Sequence, residues 1–199
     1  MTEPLTQDGR LIALETALGK DRLLLTAVTA NEALSQPFLY ELDAISEDVA
    51  IEAKQLVGLE VGIRLGLARG SRRRLHGIVS RFLAGPTRVL GFRGYRIQVV
   101  PWLALLSHST DCRIFQNLSV PEILEEVFQN HGFSDFELRI ERGQYPPREY
   151  CVQYRETALN FVSRLMEDEG LFYFFEHEEK RHLLVVADSN LAFKPLRIS

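Results

Sequence analysis

Residues 171–175 read Leu-Phe-Tyr-Phe-Phe, and a strand with that sequence has no face it can leave in water. Successive strand side chains alternate, so Leu171, Tyr173 and Phe175 project to one side and Phe172 and Phe174 to the other. A fully buried large side chain is worth roughly 1.5–3 kcal/mol, so exposing either set forfeits several such contributions. Both faces therefore require a cover. One cover is encoded immediately upstream. Ala158, Phe161, Val162, Leu165 and Met166 recur at helical spacing, Thr157 stands at the N-cap position and Gly170 at the stop. The other face calls for a second sheet layer or another subunit. Glu167, Asp168 and Glu169 occupy the last turn of this helix, where its dipole disfavours acids by ~0.3 kcal/mol or more each. A solvated cluster is the expected reading, with a basic neighbour as the alternative.

The first half of the chain has a different period. Residues 11–16, 23–29 and 38–45 are strand-like runs, punctuated by Gly19-Lys20-Asp21 and Ser35-Gln36-Pro37. Val61, Ile63, Leu65 and Leu67 alternate with small or charged residues, as do Tyr95, Ile97 and Val99. Residues 75–83 lie between them. Short turns between successive strands predict an antiparallel meander, closed into a barrel or folded as a sandwich. Beyond it, Ser119-Val120-Pro121-Glu122 is a capping box. Val120, Ile123, Leu124, Val127 and Phe128 then form an apolar stripe that Gly132 closes. Strands are expected at 136–140 and 183–187. The result is a β-rich α+β fold of β-barrel-like domains with inserted amphipathic helices. It divides into a polar tail (1–10), a first β-barrel-like domain (11–110) and a second α+β region (111–199).

Composition narrows the function classes. The chain has 199 residues, 46% of them hydrophobic, and a net charge of -4, so it can bury a core and offers no electrostatic reason to bind nucleic acid or a membrane surface. No apolar run approaches the ~18 residues of a membrane helix, so stable insertion is not expected. The first ten residues lack a hydrophobic stretch, so synthesis in the cytoplasm without a secretory signal peptide is expected. Cys112 and Cys151 read as two reduced, largely buried thiols.

A search for chemistry finds little. His177 and His182 flank the turn Glu178-Glu179-Lys180-Arg181 and could face each other across a hairpin. Their spacing is not that of a zinc protease, and two solvated strand-end histidines is the better reading. His76 is expected to be partly buried and hydrogen-bonded, sharing a strand face with Ile78 and Phe82. His108 sits among Ser107, Ser109, Thr110 and Asp111, yet residues adjacent in sequence rarely converge as a triad. His131, beside Gly132, suits a helix C-terminus. Arg69, Arg72, Arg73 and Arg74 read as a solvated hairpin tip, and Glu125 and Glu126 as the wet face of a helix. No catalytic, cofactor-binding or metal-ligating residue is assigned, and no cofactor is implied.

Several landmarks carry a family resemblance. Leu34-Ser35-Gln36-Pro37-Phe38 with Tyr40-Glu41-Leu42, Leu75-His76-Gly77-Ile78-Val79, and Pro101-Trp102-Leu103 leading to Asp111-Cys112-Arg113-Ile114-Phe115-Gln116 come first. Val120-Pro121-Glu122-Ile123-Leu124, Val152-Gln153-Tyr154-Arg155-Glu156, Phe161-Val162-Ser163-Arg164-Leu165-Met166 and Glu169-Gly170-Leu171-Phe172-Tyr173-Phe174 follow in the same order. Together they resemble the amino-terminal, phage tail-hub-like region of the VgrG spike proteins of bacterial type VI secretion. The resemblance implies a structural hub: a homotrimer of pseudo-sixfold symmetry that mates with the Hcp tube and baseplate proteins, can carry effector cargo, and is secreted through the type VI apparatus. It implies no catalytic residues. In the family a further β domain and a β-helix needle follow, whereas this sequence stops at Ser199, so piercing is expected to need more chain. A prophage tail hub of the late-control type is the alternative, with a hydrolase using His76 or His108 a weaker one.

Overall fold

The computed structural model describes residues 5–67, 70–87 and 91–194. They fall into two compact units: the first comprises Met1–Glu32, Phe38–Pro101 and His177–His182, the second Ala33–Pro37, Trp102–Glu176 and Leu183–Ser199.

The first unit is built on a six-stranded sheet. Its strands are β1 (Ile12–Glu15), β2 (Leu24–Ala33), β3 (Gln36–Ser46), β4 (Glu60–Gly66), β5 (Arg72–Thr87) and β6 (Arg93–Val100), in the order β1-β4-β5-β6-β3-β2. The expected meander holds for β4, β5 and β6, which pair antiparallel in sequence order. β2 and β3 are also neighbours, and the meander fails at two junctions, where β3 pairs with β6 and β1 with β4. Leu14, Tyr40, Leu42, Ile63, Leu75, Val79, Ile97 and Val99 are buried in its core. The sheet curls, and its two edge strands are joined by a side chain rather than by a backbone ladder. Gln7 accepts hydrogen bonds from the backbone N–H groups of Leu14 and Leu25 at 2.9 and 3.1 Å. Its Nε2 donates to the Leu14 carbonyl at 3.1 Å. Within the segment read as a polar tail, Gln7 is thus only 5% exposed.

One face assignment is corrected by register. Val79 pairs with Val99 and Phe82 with Ile97, with a shift of register between Val79 and Arg81. The extra residue, Ser80, puts Phe82 on the face of Leu75, Gly77 and Val79, so His76 and Phe82 do not share a face. Gly77 sits where nothing larger fits: a Cβ there would lie 2.6 Å from Val99 Cγ1 and 2.9 Å from the Val100 carbonyl.

The second unit opens with α1 (Trp102–Leu105) and a 3-10 turn. It continues through β7 (Thr110–Phe115), α2 (Val120–Asn130), β8 (Phe136–Arg139), β9 (Cys151–Thr157), α3 (Ala158–Asp168), β10 (Phe172–His177) and β11 (His182–Ala187). The last residue of β10 and the first of β11 belong to the first unit. The capping logic read from the sequence is realised at both long helices. The Glu122 carboxylate accepts from the Ser119 N–H at 2.7 Å and from its hydroxyl at 2.6 Å. Thr157 Oγ1 accepts from the Asn160 N–H at 3.1 Å. Both helices end on a left-handed glycine, Gly132 and Gly170, with backbone bonds from Phe133 to Phe128 and from Leu171 to Met166 closing the last turn. Their apolar stripes are buried as the periodicity requires.

The acids at the end of α3 are not simply solvated: Arg148 donates to Glu169 at 2.6 Å and lies 4.0 Å from Asp168. A guanidinium there offsets both the mutual repulsion of the acids and the helix dipole. The other face of the aromatic strand is only partly covered, and from within the chain: Phe193, itself 41% exposed, packs on the half-buried Phe172 and Phe174 with ring centroids 5.6 and 4.8 Å apart. Strand β10 pairs with β11, and β11 pairs in parallel with β8, a long-range partner that local pattern does not specify. Cys151 is buried, but Cys112 is exposed on β7, against the expectation of two buried thiols. Among the described residues no helix is long and apolar enough to cross a membrane.

Candidate functional site

The densest group of buried titratable side chains lies in the first unit. His76 on β5 is 4% exposed and His182 3%, and the His177 side chain is 7% exposed. They are buried rather than solvated, which corrects the reading of His177 and His182 as wet strand ends. The sequence signal for burial is faint. The turn 178–181 is strongly charged, and only the three-dimensional fold brings it to a sheet with Phe38 and Tyr40 at its end. The Phe38 ring stacks on Tyr40 at 4.4 Å and lies 5.2 and 5.5 Å from the rings of His177 and His182.

The hydrogen bonds fix a direction through the cluster. The backbone N–H of His76 donates to His177 Nδ1 at 3.1 Å, so that nitrogen carries no proton. Neutral His177 therefore holds its proton on Nε2, which faces the Tyr40 hydroxyl at 3.0 Å. Tyr40 in turn donates to the Glu32 carboxylate, and Arg73 donates to the other Glu32 oxygen at 2.5 Å. The Nδ1 atoms of His76 and His182 lie 3.1 Å apart, so the two rings share one proton between them. Glu60 lies 3.9 Å from His76 Nε2.

The electrostatics follow from this burial. Burial drives His177 down to about 4, helped by Arg73 and the nearby His76 and opposed by the Glu32 carboxylate. His182 falls to about 3, first through burial and then through the other two imidazoles. Burial pushes the Tyr40 hydroxyl well above its usual range, and the hydrogen bond and charge of Glu32 push the same way. At Glu32 burial acts to raise the carboxyl, but Tyr40 and Arg73 outweigh it and hold it below its ordinary value.

The cluster contains no hydroxyl or thiol nucleophile other than the phenol of Tyr40, which its surroundings keep protonated. Its imidazoles are committed to one another and to the backbone. Among the described residues no group of three or more His, Cys, Asp or Glu side chains is arranged to hold a metal ion. Its chemistry is that of a neutral, hydrogen-bonded plug.

Other groups singled out in the sequence disperse. His108 is exposed, Asp111 accepts from the Cys112 N–H at 2.7 Å, and Ser109 meets His131 Nε2 at 3.1 Å instead of His108. The second ring nitrogen of His131 lies 2.8 Å from the Val127 carbonyl, so this histidine ties the end of α2 to Ser109. Arg73 and Arg74 are engaged by carboxylates, Arg74 lying 3.3 Å from Glu179 and 3.9 Å from Glu15, while Arg72 is exposed. Arg69 lies outside the described residues. Glu126 pairs with Arg113 at 2.8 Å.

Kinship is decided by the whole chain. The sequence matches the phage tail baseplate hub (GPD) family over residues 31–198. The chain belongs to the phage tail baseplate hub family. Hub-family relatives include the type VI secretion system spike protein VgrG1a of Pseudomonas aeruginosa, 49% identical over 90% of this chain and 28% of its own. VgrG1b of the same organism is 46% identical over 93% of this chain and 25% of its own. The chain thus spans about a quarter of the length of these relatives. Among solved structures, the Escherichia coli c3393 protein superposes with a TM-score of 0.82 at 27% identity, over 92% of this chain and 52% of that one. That protein is described as a type VI secretion component with structural similarity to the phage T4 tail proteins gp27 and gp5. A Neisseria meningitidis tail protein shares the hub fold at a TM-score of 0.60 and 12% identity, over 94% of this chain and 52% of its own.

Proposed function

We propose that this chain is the structural hub portion of a type VI secretion spike. In the full-length protein it forms a homotrimer, adapts the Hcp tube to the puncturing part of the spike, meets baseplate proteins, and leaves the cell through the apparatus, with effector cargo where one is carried. It performs no catalysis and binds no cofactor. One observation carries the reading: the hub fold is matched over nearly the whole chain by a type VI component, while sequence identity near one half links it to spike proteins. The spike assignment draws more support than a prophage tail hub, because the tail protein compared above shares the fold at only 12% identity. The buried groups agree with a scaffold, since their hydrogen bonds are spent internally. The test is co-sedimentation and crosslinking of the full-length gene product with Hcp rings. A trimer that mates with the rings supports the reading, and a monomer that ignores them removes it.

A further inference from the structure

We propose that the turn His177–His182 is an acid-released latch on the first unit, opened when His177 takes up a second proton. The inference stands independently of the secretion reading and rests on the directionality of the hydrogen bonds. His177 Nε2 already carries a proton toward Tyr40, so the only place for another is Nδ1. That atom accepts the His76 backbone N–H at 3.1 Å. Protonation therefore turns an acceptor into a donor facing a donor, and the backbone N–H has no means of reorienting within β5. The same proton buries a positive charge beside a ring pair, His76 and His182, that also gains nothing from it.

The charges around the turn decide whether the site can absorb that proton. From β2, Glu32 lies 3.6 Å from His177 Nε2 and attracts an imidazolium. Its charge is already balanced by Arg73 on β5 at 2.5 Å and engaged by the Tyr40 hydroxyl from β3. From β4, Glu60 approaches His76 rather than His177. Within the turn, Glu178 pairs with Arg181 at 2.8 Å and Glu179 with Arg74 at 3.3 Å. Lys180 and Glu15 line the open cleft beside His76. No carboxylate in this set offers His177 Nδ1 an acceptor in place of the His76 N–H, so leaving the site is the available response. Two of the three histidines ride on the turn, so its departure hydrates both at once.

Hydrogen exchange by mass spectrometry, corrected for the intrinsic pH dependence of exchange, tests this on the intact chain. Amides of residues 176–183 are expected to lose protection by about tenfold or more between pH ~7 and pH ~4.5, while those of α2 and α3 keep theirs. The variant His177→Gln is the decisive control, because a glutamine can accept the His76 N–H and donate to Tyr40 without titrating. It is expected to keep the turn protected across the same range. The latch is overturned if turn and helices lose protection together, or if His177→Gln opens at the same pH as the natural chain. Should His177→Gln not fold at neutral pH, the His177 ring resonance of the natural chain replaces it. Its protonation must coincide with turn opening, and titration without opening refutes the proposal.

Discussion

Gln7 treats Leu14 as a neighbouring strand would, accepting its backbone N–H at 2.9 Å and donating to its carbonyl at 3.1 Å through one carboxamide. The same oxygen takes the Leu25 N–H at 3.1 Å, so a single side chain spans the seam between the two edges of the six-stranded sheet. Replacing Gln7 with Ala leaves three buried backbone groups without their partner and should cost about 2–3 kcal/mol. Gln7→Glu should also destabilise, because a carboxylate cannot donate to the Leu14 carbonyl. Urea unfolding of the three proteins at neutral pH measures both losses.

Gly77 should tolerate no side chain. A methyl group there meets Val99 Cγ1 at 2.6 Å and the Val100 carbonyl at 2.9 Å, so Gly77→Ala is expected to destabilise by about 1–3 kcal/mol. Adding Val99→Ala should recover only part of the loss, since the carbonyl contact is backbone and remains. Thermal unfolding of the single and double variants separates the two contacts.

Tyr40→Phe removes the hydroxyl that stands between His177 Nε2 and Glu32. The His177 N–H is then left without its acceptor, at a cost of about 1–2 kcal/mol in chemical denaturation at pH ~7. Tyr40→Phe differs from a core truncation because the ring and its stacking on Phe38 persist. Loss of much more than this would indicate that the phenol also organises Arg73.

Asp188 makes a pH prediction of the opposite kind. Its carboxylate accepts the N–H groups of Glu141, Arg142 and Gly143 at 2.7–2.9 Å and the Tyr145 hydroxyl at 3.3 Å. Desolvation acts to raise it, but the three backbone bonds and Tyr145 prevail and bring it down to about 2. A carboxyl depressed by folding adds stability that is present above its unfolded value near 4 and is lost as pH falls toward about 2. Asp188→Asn should therefore be less stable than the natural chain at neutral pH, and the difference should shrink to nothing near pH ~2. The two imidazoles have the same direction over a higher window. Stability is unpenalised above the unfolded histidine value of 6.5 and erodes as pH falls toward about 4 for His177 and about 3 for His182.

Legibility followed the range of the interaction. The helices of the second unit were readable because Ser119, Glu122, Thr157, Gly132 and Gly170 act within a few residues of their own backbone. Alternation gave the strands of the first unit, but not their order, which depends on β3 finding β6 across nearly 50 residues of chain. The Ser80 bulge was invisible to period-two counting, and it moved Phe82 away from the face of His76. Burial of the histidine cluster is illegible in the sequence because covering a charged turn is a tertiary fact. Nothing in Glu178-Glu179-Lys180-Arg181 announces that its flanking imidazoles are covered. The packing of Phe193 on Phe172 and Phe174 is illegible for a similar reason, since the run Leu191-Ala192-Phe193 is too short to show a period.

The division of the chain carries a consequence for how it is made. Residues 33–37 are counted with the second unit and residues 177–182 with the first, so no single scission of the polypeptide yields two complete pieces. On a ribosome the first unit cannot finish until residue 182 has left the exit tunnel, by which point most of the second has emerged as well. Maturation of the two is thereby tied to one late event, and protein-fragment expression split near residue 101 should give products that are each short of a part held by the other.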